Sequence, residues 1–369
     1  MVEWKELGDF LNYEQPTPYL VKSTDYDNTY KTPVLTAGQS LLLGYTNESD
    51  GIYEADKDNP CIIFDDFTTS FHWIDYSFKV KSSAMKMLKP KKNTNFRYIY
   101  YAMQQINFVP QQHQRHWISK YSHFLISIPP LSEQNRIVGI LDTFTESIEN
   151  LKKQITERKK QYEHYRDQLL DLEGKPEKDI KLFGEICEMI KGNGVQKTDF
   201  VDEGIGCIHY GQIYTHYGSF TYTTNKFVSK EVFDKAKKAS KGDIVMTDTS
   251  ENVEDICKSV AYLGEEDIAV SNHALIIKHR QNPKFLSYTT YTKSFFNQKR
   301  KYAYGVKVTG IKPDHLARFL IYLPSIEEQN HIVSILDTFE ASIANLEQQL
   351  SLRQKQYEYY RNMLLTFDE

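Results

Sequence analysis

The chain has 369 residues, length enough for two or three domains with sizeable cores, and carries 45 Lys and Arg against 49 Asp and Glu, a formal net charge of −4. No apolar run could span a bilayer and the first ten residues hold no hydrophobic segment, so membrane insertion and secretion are not expected. Cys61, Cys187, Cys207 and Cys257 lack close paired spacing and read as buried thiols of a reducing, cytoplasmic compartment, not as a disulfide framework or zinc site.

Residues 1–128 read as a first globular domain. Between Tyr19 and Phe78 short β-rich runs alternate with turn signals at Asn47–Gly51 and Asp56–Pro60. Cys61-Ile62-Ile63-Phe64 reads as a buried strand that opens into a hydroxyl-rich loop, Asp65-Asp66-Phe67-Thr68-Thr69-Ser70. Asn95–Asn107 follows as a helix with its aromatics on one face. At Pro129-Pro130 the chain is stopped and re-aimed.

Residues 129–171 then form a long helix. Ile137, Leu141, Phe144, Ile148, Leu151 and Ile155, followed by Tyr162, Tyr165 and Leu169, fall at alternating steps of four and three, a heptad seam. A helix of about 40 residues would be about 60 Å long at 1.5 Å per residue. A glycine- and proline-bearing linker, residues 172–178, closes it. Residues 179–323 read as a second mixed α/β domain. Its strand Ile244-Val245-Met246 opens into Thr247-Asp248-Thr249-Ser250, and a helix is expected over Pro283–Lys299. Residues 324–369 form the second long helix, entered through a capping box of Ser325 with Glu328. Its seam is Ile332, Leu336, Phe339, Ile343, Leu346 and Leu350, followed by Tyr357, Tyr360 and Leu364.

The two halves are repeats. A shift of 195 residues lays Ile128–Leu170 on Leu323–Leu365 with 25 of 43 pairs identical. Leu7-Gly8-Asp9-Phe10 matches Phe183-Gly184-Glu185-Ile186, and Val34-Leu35-Thr36-Ala37-Gly38-Gln39 is echoed by Cys207-Ile208-His209-Tyr210-Gly211-Gln212. The offset grows from 176 to 195, which places about 19 extra residues in the second domain. One seam position is polar in both helices, Arg158 and Arg353, a device that fixes register. Neither helix can bury its seam alone, so the two are expected to pair, antiparallel, within one chain. The expected fold is α+β, two mixed α/β domains and two long coiled-coil helices related by a pseudo-two-fold repeat.

Charge is distributed as unevenly as the repeat requires. Tyr76–Ser132 contains no acid but carries Lys79, Lys81, Lys86, Lys89, Lys91, Lys92, Arg97, Arg115 and Lys120. Ile268–Pro313, equally free of acids, carries Lys278, Arg280, Lys284, Lys293, Lys299, Arg300, Lys301, Lys307 and Lys312. Basic stretches interleaved with aromatics and hydroxyls suit DNA, cations for phosphates and shorter polar groups for base edges. Gln39, Thr68, Thr69, Ser70, Gln212, Thr249 and Ser250 are the expected base readers. Off the seam, Glu133, Gln134 and Asn135 recur as Glu328, Gln329 and Asn330, and Gln161 and Glu163 as Gln356 and Glu358. Two equivalent outer faces would suit two copies of one partner.

Catalytic signatures are weak. In Gly192-Asn193-Gly194-Val195-Gln196-Lys197-Thr198 a glutamine stands where a phosphate loop needs glycine. His113 and His116 have helical spacing for a metal but no carboxylate nearby in sequence. Asp65 and Asp66, adjacent on a strand, should point to opposite faces. No Asn- or Asp-Pro-Pro-aromatic tetrapeptide is present. The chain therefore reads as a molecule that binds and positions. A coiled-coil protein adaptor and a stand-alone DNA-modifying enzyme are the competing readings.

Pro-Pro-Leu-Ser-Glu-Gln-Asn-Arg-Ile-Val at 129–138 and Leu-Pro-Ser-Ile-Glu-Glu-Gln-Asn-His-Ile-Val at 323–333, each opening a helix after a variable domain, resemble the specificity subunit of type I restriction-modification systems. The likeness covers the whole chain, in the order target-recognition domain, helix, target-recognition domain, helix. Gly305-Val306-Lys307-Val308-Thr309-Gly310-Ile311 resembles the segment that closes many such recognition domains, whereas His116-Trp117-Ile118-Ser119 matches it only loosely. The resemblance implies a non-catalytic subunit that holds no cofactor of its own. Two modification subunits would bind S-adenosylmethionine and methylate adenine, and restriction subunits would use ATP and Mg2+. It further implies a bipartite, asymmetric DNA target whose spacer is set by the helices.

Overall fold

The structure, a computed structural model, describes residues 2–38, 40–110, 114–305 and 308–367. Gln39, His113, Val306 and Lys307 lie outside the described residues. The chain divides into two units, Met1–Lys152 with Gln348–Glu369, and Lys153–Glu347. Each unit thus contains one globular domain, the first half of one long helix and the second half of the other.

In the first unit the strand Cys61–Asp65 lies inside a four-stranded sheet, between Met85–Pro90 and Phe71–Ile74, with Leu11–Glu14 at the far edge. Every residue from Cys61 to Phe64 is buried because both faces of this sheet are covered. Side chains alternate across a strand, so Ile62 and Phe64 join the core beneath the helix Phe96–Met103 while Cys61 and Ile63 join a second core. That second core is shared with Leu35 and Val80, from a three-stranded sheet in which Thr32–Leu35 pairs in parallel with Lys79–Val80. The expected helix over Asn95–Asn107 is shorter, Phe96–Met103, and Asn95 caps it by accepting the Tyr98 N–H at 3.0 Å.

The second unit repeats this plan with additions. Ile244–Thr247 sits between Ala274–His279 and Ser259–Tyr262, with Cys187–Lys191 beyond, and Phe220–Thr221 extends the sheet. Ile244 and Met246 face one core and Val245 the other. Ile205–Ile208 pairs in parallel with Ile268–Val270, as Thr32–Leu35 does with its partner. The helix expected over Pro283–Lys299 is two helices, Pro283–Thr289 and Lys293–Tyr302. The chain breaks at Thr290-Tyr291-Thr292 because the Thr292 hydroxyl accepts the Phe295 N–H at 3.3 Å, a new N-cap inside the polar run.

The long helices are Leu131–Leu170 and Ile326–Leu365, 40 residues each. At the start of the second the Ser325 hydroxyl accepts the Glu328 N–H at 3.3 Å, the forward half of the expected capping box. In the first unit Phe144 stacks on Tyr360 with centroids 5.2 Å apart, and the Arg353 guanidinium lies 5.6 Å from the same ring. In the second Phe339 stacks on Tyr165 at 5.3 Å and takes Arg158 at 5.9 Å. The two polar seam positions are therefore cation–π partners of the seam phenylalanines. The ends of the seam are absorbed into the domains. Ile137 and Leu141 join the first core with Leu364 and Leu365. Ile332 and Leu336 join the second with Leu170. Among the described residues no helix is long and apolar enough to cross a membrane.

Candidate nucleic-acid interface

In the first unit the loops at one end of the two sheets are tied together. The Ser70 hydroxyl donates to the Ala37 carbonyl, and a His72 ring nitrogen lies 2.9 Å from the Gly38 carbonyl oxygen. Asp66 N–H donates to the Ala84 carbonyl at 2.9 Å. Asp65, the last residue of its strand, and Asp66, the first of the turn, have separate partners. The Asp65 carboxylate accepts the N–H groups of Phe67 and Thr68, each at 2.8 Å, closing the turn. Asp66 is buried, accepts the N–H groups of His116 and Trp117 at 3.1 and 2.8 Å, and pairs with Lys86 at 3.2 Å. His116, a candidate metal ligand by sequence, is itself buried, with its ring 5.2 Å from Phe108.

The second unit gathers the matching loops. Asp248 N–H donates to the His273 carbonyl at 3.1 Å, and Ile311 N–H to the Asp248 carbonyl at 3.0 Å. The His273 ring lies 5.4 Å from Tyr210, and its Nδ1 is 3.3 Å from the Thr249 hydroxyl. The loops carrying Gln212 and Thr249 thus meet across His273, as those carrying Gly38 and Ser70 meet in the first unit. His273 has φ of +65° and is exposed, so a polar side chain is presented from a backbone conformation that favours glycine. His209 beside it has its pKa pushed down to about 4 by burial, then by Lys197 and His273, and is neutral at physiological pH. Gly192–Thr198 is a turn of this cluster, with Gly194 at φ of +81° against Ala236.

The expected base readers divide. Thr68 is exposed and Thr249 half-exposed, but Thr69 and Ser250 are buried. The Thr69, Ser70 and Ser250 hydroxyls donate to backbone carbonyls of Thr68, Ala37 and Asn252, so they hold turns. Gln212 is half-buried; it accepts the His209 N–H at 2.9 Å and donates to Asn225.

The basic positions divide as sharply. Lys79 is fully buried against Glu48 at 2.9 Å and the Asp50 carbonyl at 2.6 Å, and Lys86 is buried against Asp66. Lys299 is buried, donates to the carbonyls of Glu254 and Ile256 at 2.9 and 2.8 Å, and has its pKa lowered to about 8 by desolvation. These three are corrected from surface cations to internal struts, since a strand or helix position whose stem faces the core delivers its amine to inward carbonyls and carboxylates. Arg97 is directed at Asp142, 2.7 Å away, and Lys89 and Lys91 donate to the Asn59 side chain and the Gly8 carbonyl at 2.9 and 2.7 Å. Lys81, Lys92, Arg115 and Lys120 in the first unit, with Lys293, Arg300, Lys301 and Lys312 in the second, are exposed.

The supposed docking residues are also largely engaged within their own units. Gln134 and Gln329 are buried and donate to the Pro129 and Pro324 carbonyls at 2.8 and 2.9 Å, closing the helix starts. Asn135 and Asn330 accept from Asn95 and Asn282 at 2.9 and 2.7 Å. Glu133 pairs with Arg136 at 2.6 Å, whereas Glu328 is exposed. Gln161, Glu163, Gln356 and Glu358 are all exposed.

Residues that sequence reasoning passed over are Tyr210, His273 and Lys191, whose ammonium lies 3.2 Å from Asp248. Only the alignment of Tyr210 with Ala37 inside the echoed segment marked one of them.

Residues 1–158 and 177–353 match the family described as type I restriction modification DNA specificity domain. The EcoR124I/EcoR124II specificity subunit of Escherichia coli is 37% identical over 394 residues, covering 99% of this chain and 94% of that protein. A putative type I restriction enzyme specificity subunit of Haemophilus influenzae is 28% identical over 389 residues, covering 99% and 96%. Among solved structures, the type I restriction-modification S subunit of M. genitalium covers 100% of this chain and 97% of its own, with a TM-score of 0.60 at 14% identity. A chain from a structure described as the basis of complex assembly and conformational transition of the type I R-M system covers 99% and 96%, with a TM-score of 0.57 at 14% identity.

Proposed function

The chain belongs to the family of type I restriction-modification specificity subunits, and from that premise we propose that it is the non-catalytic reader of an asymmetric, bipartite DNA target. Each globular domain binds one half of the target through its gathered loop end. Exposed lysines and arginines neutralise phosphates, and the loop side chains read base edges. The paired helices set the spacer between the halves. Two adenine methyltransferase subunits, carrying S-adenosylmethionine, dock on the helices, and restriction subunits with ATP and Mg2+ join where they are present.

The observation that carries this reading is one plan executed twice with different tips. Both units gather the same three loops on the same sheets, yet the side chains presented differ, Thr68 in one and Tyr210, Thr249 and His273 in the other. Different tips on a common scaffold suit two different half-sites. The buried Gln134 and Gln329 are unavailable to a partner, so docking falls to the exposed, repeated Gln161 and Glu163 with Gln356 and Glu358.

The test is co-expression with a modification subunit followed by mapping of methylated adenines. One asymmetric bipartite motif with a fixed spacer is the expected result. Random methylation, or a palindromic motif, refutes it, and methylation by the purified chain alone would establish an enzyme instead.

A further inference from the structure

The two recognition domains differ in most of their side chains, yet each meets its long helix through the same three. Asn95 and Asn282 cap the helices Phe96–Met103 and Pro283–Thr289 and donate across to Asn135 and Asn330 at 2.9 and 2.7 Å. Two residues on, Arg97 reaches Asp142 at 2.7 Å and Lys284 reaches Asp337 at 2.8 Å. Four further on, the Tyr101 hydroxyl donates to Asp142 at 2.5 Å and the Tyr288 hydroxyl to Asp337 at 2.7 Å. The pattern is Asn-x-(Arg or Lys)-x-x-x-Tyr in both domains. The acceptors are an asparagine and an aspartate seven residues apart, on one face of each long helix.

We propose that this set is an orientation latch, with Asp142 and Asp337 as positioning residues that fix the angle at which each recognition domain stands on its helix. The inference rests on the DNA-reading function proposed above. Apolar packing between a domain and a helix is non-directional and tolerates rocking. A neutral amide hydrogen bond at one place along the helix and charge-assisted bonds seven residues further on are directional and remove that freedom. Aromatic rings stiffen the cation in each case. The Arg97 guanidinium lies 4.7 Å from the Trp73 ring, and the Lys284 ammonium 3.5 Å from that of Phe220. The second latch has an extra acceptor, because the single Tyr288 hydroxyl proton is shared between Asp337 and Glu340, whose carboxylate oxygen lies 3.0 Å away. Asp142 and Asp337 remain 43% and 36% exposed in their side chains, so their contribution to stability is screened and their geometric role outweighs it.

The test uses the complex with its methyltransferase subunits and DNA duplexes carrying the target with its native spacer, one base pair shorter and one longer. The wild-type complex is expected to bind the native spacer best. Asp142→Ala and Asp337→Ala are expected to lower discrimination against altered spacers about tenfold, with a smaller loss at the native spacer. Asp337→Asn, which still accepts from Tyr288, should fall between. Tyr288→Phe, the loss of one hydroxyl, repeats the test should the aspartate variants fold poorly. Equal weakening at every spacer, or no change, overturns the latch. A wild-type complex indifferent to spacer length overturns the bipartite reading itself, a separate outcome.

Discussion

In the first unit the buried Asp66 faces Lys86, which comes from the strand Met85–Pro90; in the second the buried Asp248 faces Lys191, from the strand Cys187–Lys191. The registers show the exchange. Phe64 pairs with Lys86, whereas Met246, on the equivalent strand, pairs with Leu275, so the second unit has an apolar residue where the first has its lysine. The loop end needs a pinned carboxylate, and its cation comes from the adjacent strand in the first unit and from the strand one further out in the second. The difference lies in solvation, since Lys86 is 1% exposed and Lys191 63%.

Removing the buried carboxylate of the first pair and the solvated cation of the second is expected to separate the two solutions most strongly. Asp66→Ala leaves a buried ammonium without its carboxylate and the Trp117 N–H without an acceptor, while the His116 N–H keeps the Asp66 carbonyl at 2.9 Å, a loss of about 3–5 kcal/mol. Lys191→Ala removes a solvated cation from the buried Asp248, which keeps the Thr249 hydroxyl as a donor at 2.9 Å, and should cost less, about 1–2 kcal/mol. Denaturant unfolding of the two variants checks this, and equal losses would show that the pairs are not alternatives.

The seam offers a second contrast, between its ends and its middle. Leu141 and Leu336 are fully buried in the domain cores, whereas Leu151 and Leu346 are half-buried. Leu141→Ala and Leu336→Ala should each cost about 2–5 kcal/mol, and Leu151→Ala or Leu346→Ala about 1–2 kcal/mol. Leu151→Asp or Leu346→Asp should part the helices and abolish assembly with methyltransferase subunits. Retained assembly would place docking elsewhere than on the paired helices.

The helices, their pairing and the duplicated plan are legible in the sequence because heptad spacing and self-similarity are local or collinear signals. Lys79, Lys86 and Lys299 read there as surface cations because a strand or short helix does not announce which of its faces is covered. Their acceptors, Glu48, Asp66 and the carbonyls near Glu254, lie 20 to 45 residues away. The outer-face Asn135 and Asn330 stand out for their recurrence, but their partners sit in segments too divergent for alignment to pair them.

Lys299 has no buried counterpart among the acid-free lysines of the first unit that reaches only carbonyls. Its pKa is about 8 in the folded chain against 10.5 unfolded. Between those values the unfolded chain holds a proton that the folded chain has released, so this group's contribution to stability rises with pH. Its penalty is fully present below about 8 and gone above about 10.5. The cysteine thiols act oppositely, since burial pushes Cys257 from 9.0 to about 12 and the unfolded chain loses that proton first. The difference between wild type and Lys299→Met isolates the lysine. It should move in favour of the wild type by about 1 kcal/mol per pH unit between pH 8 and 10. A flat difference would mean that the amine keeps its proton inside the fold.

The smallest effect on stability is expected where the effect on DNA is clearest. Arg300 and Lys301 follow Lys299 on the helix Lys293–Tyr302 but are exposed, so charge reversal there leaves the core untouched. Arg300→Glu with Lys301→Glu should change unfolding by less than about 0.5 kcal/mol. It should lower DNA affinity uniformly across sequences and reduce the slope of log K against log salt by about one for each phosphate no longer neutralised. Lys81→Glu with Lys92→Glu is the matched substitution in the first unit. If both pairs lower the slope equally, the two units grip phosphate alike and differ only in the bases they read. If only one does, the helix Lys293–Tyr302, which the first unit lacks among its described residues, marks a phosphate grip peculiar to the second half of the target.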